Sequence, residues 1–147
     1  MSEPSKEPPR LVVDASVVVK WYVPEIHWQI ARQLLNDENQ LFAPDLIWAE
    51  LGNVVTTLTR TGRMSTEIAQ EVFRAFARVP LQIHAVKDLH ETAFEAARDT
   101  GRSFYDCAYL ALARQTGSLL VTADLRFYNG IKNTPWARYC IWLGDVA

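Results

Sequence analysis

Residues 103–124 begin Ser103-Phe104-Tyr105-Asp106-Cys107-Ala108-Tyr109-Leu110-Ala111-Leu112-Ala113, run on to Thr116 and Gly117, and close with Leu119-Leu120-Val121-Thr122-Ala123-Asp124. The first part has the spacing of a helix, because Tyr109, Leu110 and Ala113 follow Asp106 at three, four and seven positions. Gly117 is a natural stop for that helix. The apolar run from Leu119 to Val121 then reads as a short buried strand. Both halves carry an acid where packed interiors resist one. Asp106 lies on the stripe the helix would bury, and Asp124 stands at the end of the strand. A carboxylate in such a place is costly unless it is paired, hydrogen-bonded or holding a cation.

The same pattern repeats upstream. Leu11-Val12-Val13 is a strand that ends at Asp14, with Ser16 placed to cap the next helix. Val17 to Tyr22 and His27 to Asn36 read as helices, the second turning Ile30, Ala31 and Leu34 inward. Leu41-Phe42-Ala43 is a strand, and a long helix from Pro44-Asp45 to Thr61 closes at Gly62. Its apolar residues are Leu46, Ile47, Leu51, Val54, Val55 and Leu58, and Glu50 falls within that stripe. Ser65 opens a helix presenting Ile68, Val72, Phe73 and Phe76 that stops before Pro80. Leu81 to Val86 is a weak strand. Asp88 to Arg98 is a helix with Leu89, Ala93, Ala96 and Ala97 inward, ended by Gly101. Tyr139 to Trp142 is a last strand. Short apolar strands separated by helices predict an α/β fold, a short and mainly parallel sheet covered on both faces.

At 147 residues and 49% hydrophobic, the chain is one globular domain. Residues 1–10, with Pro4, Pro8 and Pro9, read as a flexible tail, and 11–147 as the domain. A net charge of -2 excludes a broad polycationic surface, so any nucleic acid meets a local basic patch. Arg102 and Arg126 are the candidates for holding phosphates. The tail has no apolar signal core and no run is long enough to span a membrane, which predicts a cytoplasmic protein. Cys107 and Cys140 lack metal-finger spacing and read as two thiols in a reducing compartment.

Four acids share a special context: Asp14, Glu50, Asp106 and Asp124. Two follow strand ends, the edge at which open parallel sheets bind ligands, and two lie on helix faces that pack on the sheet. Each has an ordinary alternative: turn or helix cap for Asp14, the cap of a short helix through Arg126-Phe127-Tyr128 for Asp124, a pair with Arg60 or another cation for Glu50, a first-turn acid for Asp106. Converging, they would need a cation such as Mg²⁺ or Mn²⁺ to offset their repulsion. Ser16 and Thr122 are each two residues from a candidate acid and could position water or phosphate. His27, His84 and His90 have neither ligand spacing nor a nearby nucleophile.

These stretches resemble a known family. Val12-Val13-Asp14-Ala15-Ser16, Pro44 to Asn53, Ser103 to Ala113 and Thr122 to Phe127 are similar, in order, to the four motifs of PIN domains. Size and order resemble the VapC-type toxins of toxin–antitoxin pairs, over residues 11–143. The resemblance implies an α/β/α sandwich and Mg²⁺- or Mn²⁺-dependent endoribonuclease activity. It also implies a homodimer and a cognate antitoxin that blocks the site. By position, Asp14, Glu50, Asp106 and Asp124 match the acidic catalytic set, with Asp14, Asp106 and Asp124 on the metal, and Ser16 and Thr122 match accessory polar positions. Glu50 would be a ligand or orient the attacking water. Cys107 stands where the family often has Ala. Three rival readings remain: a housekeeping PIN nuclease without antitoxin, a non-catalytic RNA- or protein-binding module, and aspartyl-phosphate chemistry on Asp14. The last wants a second acid at position 16, where Ser16 stands.

Overall fold

The computed structural model describes residues 7–146. Five strands form one sheet in the order β3-β2-β1-β4-β5: β1 Arg10–Val13, β2 Gln40–Pro44, β3 Leu81–His84, β4 Leu119–Thr122 and β5 Cys140–Trp142. Every pairing is parallel, with Leu11 opposite both Leu41 and Leu119. Parallel strands need crossovers, and the helices supply them: α1 Ala15–Val18, α2 Trp28–Gln33, α3 Leu46–Arg60, α4 Thr66–Phe76, α5 His90–Thr100, α6 Phe104–Thr116 and α7 Leu125–Ile131. Right-handed crossovers put α1–α4 on one face of the sheet and α5–α7 on the other. Accordingly α1 packs on α3, and α5 packs on α6, which lies across β1, β2 and β4. The expected sandwich of a parallel sheet between helical layers is what forms.

Burial explains the central position of α6. Its residues from Cys107 to Ala113 are all buried, so this helix is apolar all round and not merely striped. Val12, Val13, Leu120 and Val121 are fully or almost fully buried, as both-face coverage requires. Gly101 and Gly117 end α5 and α6 with φ of 70° and 62°, a left-handed turn that a side chain would strain.

Several boundaries differ from the sequence reading. Residues 1–6 of the expected tail lie outside the described residues, and Arg10 already belongs to β1. The cap of α1 is Asp14, not Ser16: the Asp14 carboxylate accepts from the Val17 N–H, while the Ser16 hydroxyl is used elsewhere. The helix expected over Val17–Tyr22 starts at Ala15 and tightens to a 3-10 turn over Val19–Trp21. The α2 helix is only Trp28–Gln33, entered through His27 at φ 64°. Pro44 ends β2 instead of opening α3. On α4 the buried side is Ala69, Val72 and Phe76, leaving Ile68 and Phe73 exposed at 54% and 38%. Tyr139 closes a 3-10 turn, Pro135–Tyr139, before β5.

The start of α6 depends on Ser103, whose Oγ accepts from the Asp106 N–H at 3.1 Å. Ser103→Ala is expected to cost about 1 kcal/mol. Thermal unfolding should register the loss, whereas Ser103→Asn should largely restore it.

Candidate active site

The strand order reverses beside β1, where β2 lies on one side and β4 on the other. Connections leave the C-terminal ends of β1 and β4 toward opposite faces there, opening the crevice typical of such sheets. Asp14 leaves β1 directly, and Asp124 follows two residues after β4. The α3 helix starts right after β2 and brings Glu50 to the same edge. Because α6 must end where β4 begins, its own first turn, with Asp106, also lies at this edge.

Asp14 is tied in on both oxygens. Its Oδ1 accepts from Ser16 Oγ at 2.5 Å and from the Val17 N–H at 3.2 Å, and Oδ2 accepts from Thr122 Oγ1 at 2.5 Å. The two hydroxyls also hold the β4 exit: the Ala123 N–H donates to Ser16 Oγ at 2.9 Å, and the Asp124 N–H donates to Thr122 Oγ1 at 3.1 Å. Asp124 in turn caps α7, accepting from the Phe127 N–H at 3.0 Å. The ordinary cap role considered for Asp124 is thus real, and it fixes this acid beside the site. Thr122 is fully buried.

The four carboxylates feel one another in a closed circuit. Burial pushes Asp14 up from 3.8 to about 6, only partly offset by Ser16, Thr122 and the Val17 N–H, and Asp124 raises it further. Glu50 is raised by burial and then by Asp14 and Asp106. Asp106 is raised by burial and by Asp124, with the Ser103 hydroxyl and the Arg102 guanidinium pulling the other way. Among the described residues none of the four forms an ion pair; the pairs present are Lys20–Glu25, Glu71–Arg74 and Glu95–Arg114. The alternative of a Glu50–Arg60 pair therefore falls. Burial with Asp14 nearby also pushes the Cys140 thiol up to about 12, and Cys107 and Cys140 are both free and buried.

Arg102 is half-buried, its guanidinium carbon 5.9 Å from the centre of the Phe127 ring. A Cβ added at Gly130 would come within 3.1 Å of Arg102 Cδ, so the arginine lies flat on the α7 backbone. Arg126 is exposed on α7. An open cleft of about 390 Å³ between α3 and the first turn of α6 is lined by Leu46, Ala49, Glu50, Asn53, Val54 and Tyr105. Tyr109 is the site residue that periodicity conceals. It counts as a core position three residues after Asp106, yet its hydroxyl faces Glu50. Asp99 accepts from the Trp136 indole N–H at 2.9 Å.

Residues 11–131 match the profile of the PIN domain family. This chain belongs to that family. Ribonuclease VapC3 of Pyrobaculum aerophilum is 31% identical over 119 residues, spanning 78% of this chain and 89% of its own. Ribonuclease VapC9 of Mycobacterium tuberculosis is 30% identical over 116 residues, 79% of this chain and 87% of its own. A chain in a toxin–antitoxin complex from Klebsiella pneumoniae superposes with a TM-score of 0.63 over 92% of this chain and 99% of its own. At 14% identity that is a likeness of fold. In this PIN domain Asp14 has both oxygens engaged by hydroxyls and an N–H, an arrangement that orients a carboxylate and leaves it poorly poised as a nucleophile.

The donor set suits a divalent cation. Hard oxygen ligands, none of them in an ion pair among the described residues, and a buried Glu50 Oε1 without a hydrogen bond all fit Mg²⁺ or Mn²⁺. Among the described residues no three His, Cys, Asp or Glu side chains close on one point. An ion that keeps several of its waters suits such a site, since the carboxylates can reach it directly or through those waters.

Proposed function

We infer that the chain is the ribonuclease toxin of a VapC-type toxin–antitoxin pair, cleaving RNA phosphodiester bonds with the help of a divalent metal. The observation that carries this reading is the circuit of four unpaired carboxylates at the switch point of a PIN fold. The curated relatives are named ribonucleases, which supports RNA as the substrate class.

In this reading Asp14, Asp106 and Asp124 would hold Mg²⁺ or Mn²⁺, and Glu50 would be a further ligand or orient the attacking water. The chemistry a divalent ion would supply there is activation of water and charge neutralisation at the leaving oxygen. The protein's own residues do the rest. Ser16 and Thr122 lock the Asp14 carboxylate and tie the β1 exit to the β4 exit, so two ligands share one rigid support. Arg126 is free to meet a phosphate, while Arg102 stands beside Asp106 and limits the charge of the ring. With a net charge of -2, RNA is gripped locally and not by a general field.

The antitoxin and a second copy of the chain are the protein partners of this reading. Ile68 and Phe73 on α4, with Trp48 at 43% exposure on α3, leave apolar surface that suits a protein partner. No helix among the described residues is long and apolar enough to cross a membrane. Two free thiols accord with a cytoplasmic location.

The test is incubation of the purified chain, freed of any antitoxin, with total tRNA and rRNA in Mn²⁺. Discrete new 5′ ends that vanish with chelator are expected. Intact RNA from a metal-loaded, folded protein would contradict the reading.

A further inference from the structure

Three buried side-chain polar atoms among the described residues have no hydrogen-bond partner, Arg102 Nε, the Tyr109 hydroxyl and Glu50 Oε1, and the last two belong to residues that face each other. Tyr109 is 2% exposed and sits on α6, one turn beyond Asp106; Glu50 sits on α3, on the opposite side of the sheet. A buried phenol hydroxyl left alone is costly, and so is a buried carboxylate oxygen. Each supplies what the other lacks, since the phenol donates and the carboxylate only accepts. Tyr109 is otherwise part of the buried hydrophobic core around α6.

We propose that Tyr109 is a positioning residue that holds Glu50 by one oxygen and so turns the other toward the reacting centre. This rests on the ribonuclease reading above and adds a residue to it. The hydroxyl becomes the donor for Glu50 Oε1 once the ring of acids is drawn together, and Oε2 is thereby presented to the metal or to its water. It would act as outer-shell partners of ligating carboxylates do: they fix orientation, and their loss typically weakens metal affinity about 10–100-fold. Tyr109 also links the two helical layers at the site, because α3 and α6 approach the sheet edge from opposite faces.

The variant is Tyr109→Phe, which removes one oxygen and leaves the ring in its pocket. Mn²⁺ binding to the full chain, followed by the paramagnetic signal of the free ion, is compared in wild type, Tyr109→Phe, Glu50→Gln and the double variant. Tyr109→Phe should weaken binding about tenfold without lowering the melting temperature by more than a few degrees. In the Glu50→Gln background the same change should have no further effect, because the hydroxyl acts only through Glu50. Equal weakening in both backgrounds, or none in either, would overturn the proposal. Should the wild type bind no Mn²⁺, the metal reading fails and the contact is read without metal. The ring-carbon NMR signal of labelled Tyr109 must then move on Glu50→Gln, and an unmoved signal overturns the proposal.

Discussion

Asp14→Asn is expected to abolish RNA cleavage, by on the order of 10³-fold or more, while making the metal-free protein more stable at neutral pH. The rate loss arises because a metal supplies several kcal/mol of transition-state stabilisation and each 1.36 kcal/mol is tenfold in rate. The stability gain is a matter of linkage. Burial holds the folded Asp14 carboxyl at about 6, above its ordinary 3.8, so the folded protein binds this proton more tightly than the unfolded chain does. Stability of the metal-free wild type therefore falls as pH rises from about 4 to about 6 and stays low above that. Asn carries no charge and still caps α1 through its side-chain oxygen. The expected gain at pH 7 is about 1–2 kcal/mol, less than the full shift would give because the site is partly open to water. Denaturant unfolding at pH 4 and pH 7, in chelator, checks it: the variant and the wild type should differ at pH 7 and converge at pH 4. Equal stability at both pH values would mean that Asp14 carries no burial penalty.

Thr122→Val should injure fold and activity together. The side chain is fully buried, and its hydroxyl both donates to Asp14 Oδ2 and accepts from the Asp124 N–H. Valine keeps the shape but strands a carboxylate oxygen and an amide. One unsatisfied buried group costs about 1–3 kcal/mol, and loss of an outer-shell partner costs about 10–100-fold in metal affinity or activity. Both effects should appear in Thr122→Val, in melting temperature and in Mn²⁺ affinity. Thr122→Ser, which keeps the hydroxyl, should recover most of each. A serine variant as weak as the valine one would shift the explanation to the lost methyl and its packing.

The strands are legible in the sequence because both faces of each are covered, so Leu11–Val13, Leu41–Ala43 and Leu119–Val121 stand out as short apolar runs. Asp14, Glu50 and Asp106 are legible for the opposite reason, as charges in positions that burial opposes, whereas Asp124 is exposed and only its place after the strand marks it. What the sequence conceals is which local bond wins. Ser16 has the look of a cap, but its hydroxyl is drawn to Asp14 and to the Ala123 N–H across the sheet, a contact 107 residues away in sequence. The α7 helix is visible as the short helix through Arg126-Phe127-Tyr128 that Asp124 caps, and only its extent, Leu125–Ile131, is hidden. It is short, and Gly130 interrupts its pattern where Arg102 packs. Ile68 and Phe73 obey helical spacing and still face outward, because periodicity reports an apolar side and not what covers it. Tyr109 hides inside a correctly read stripe, since a phenol in a core helix looks like any other large apolar residue.

Mn²⁺ titration calorimetry on wild type and Asp106→Asn, with antitoxin first removed, tests the central claim most directly. Specific binding by the wild type that Asp106→Asn weakens at least tenfold, with an unchanged fold, is the result expected of an acidic ring built to hold a metal. Absence of binding by the folded wild type at millimolar Mn²⁺, or equal binding by the variant, would contradict it.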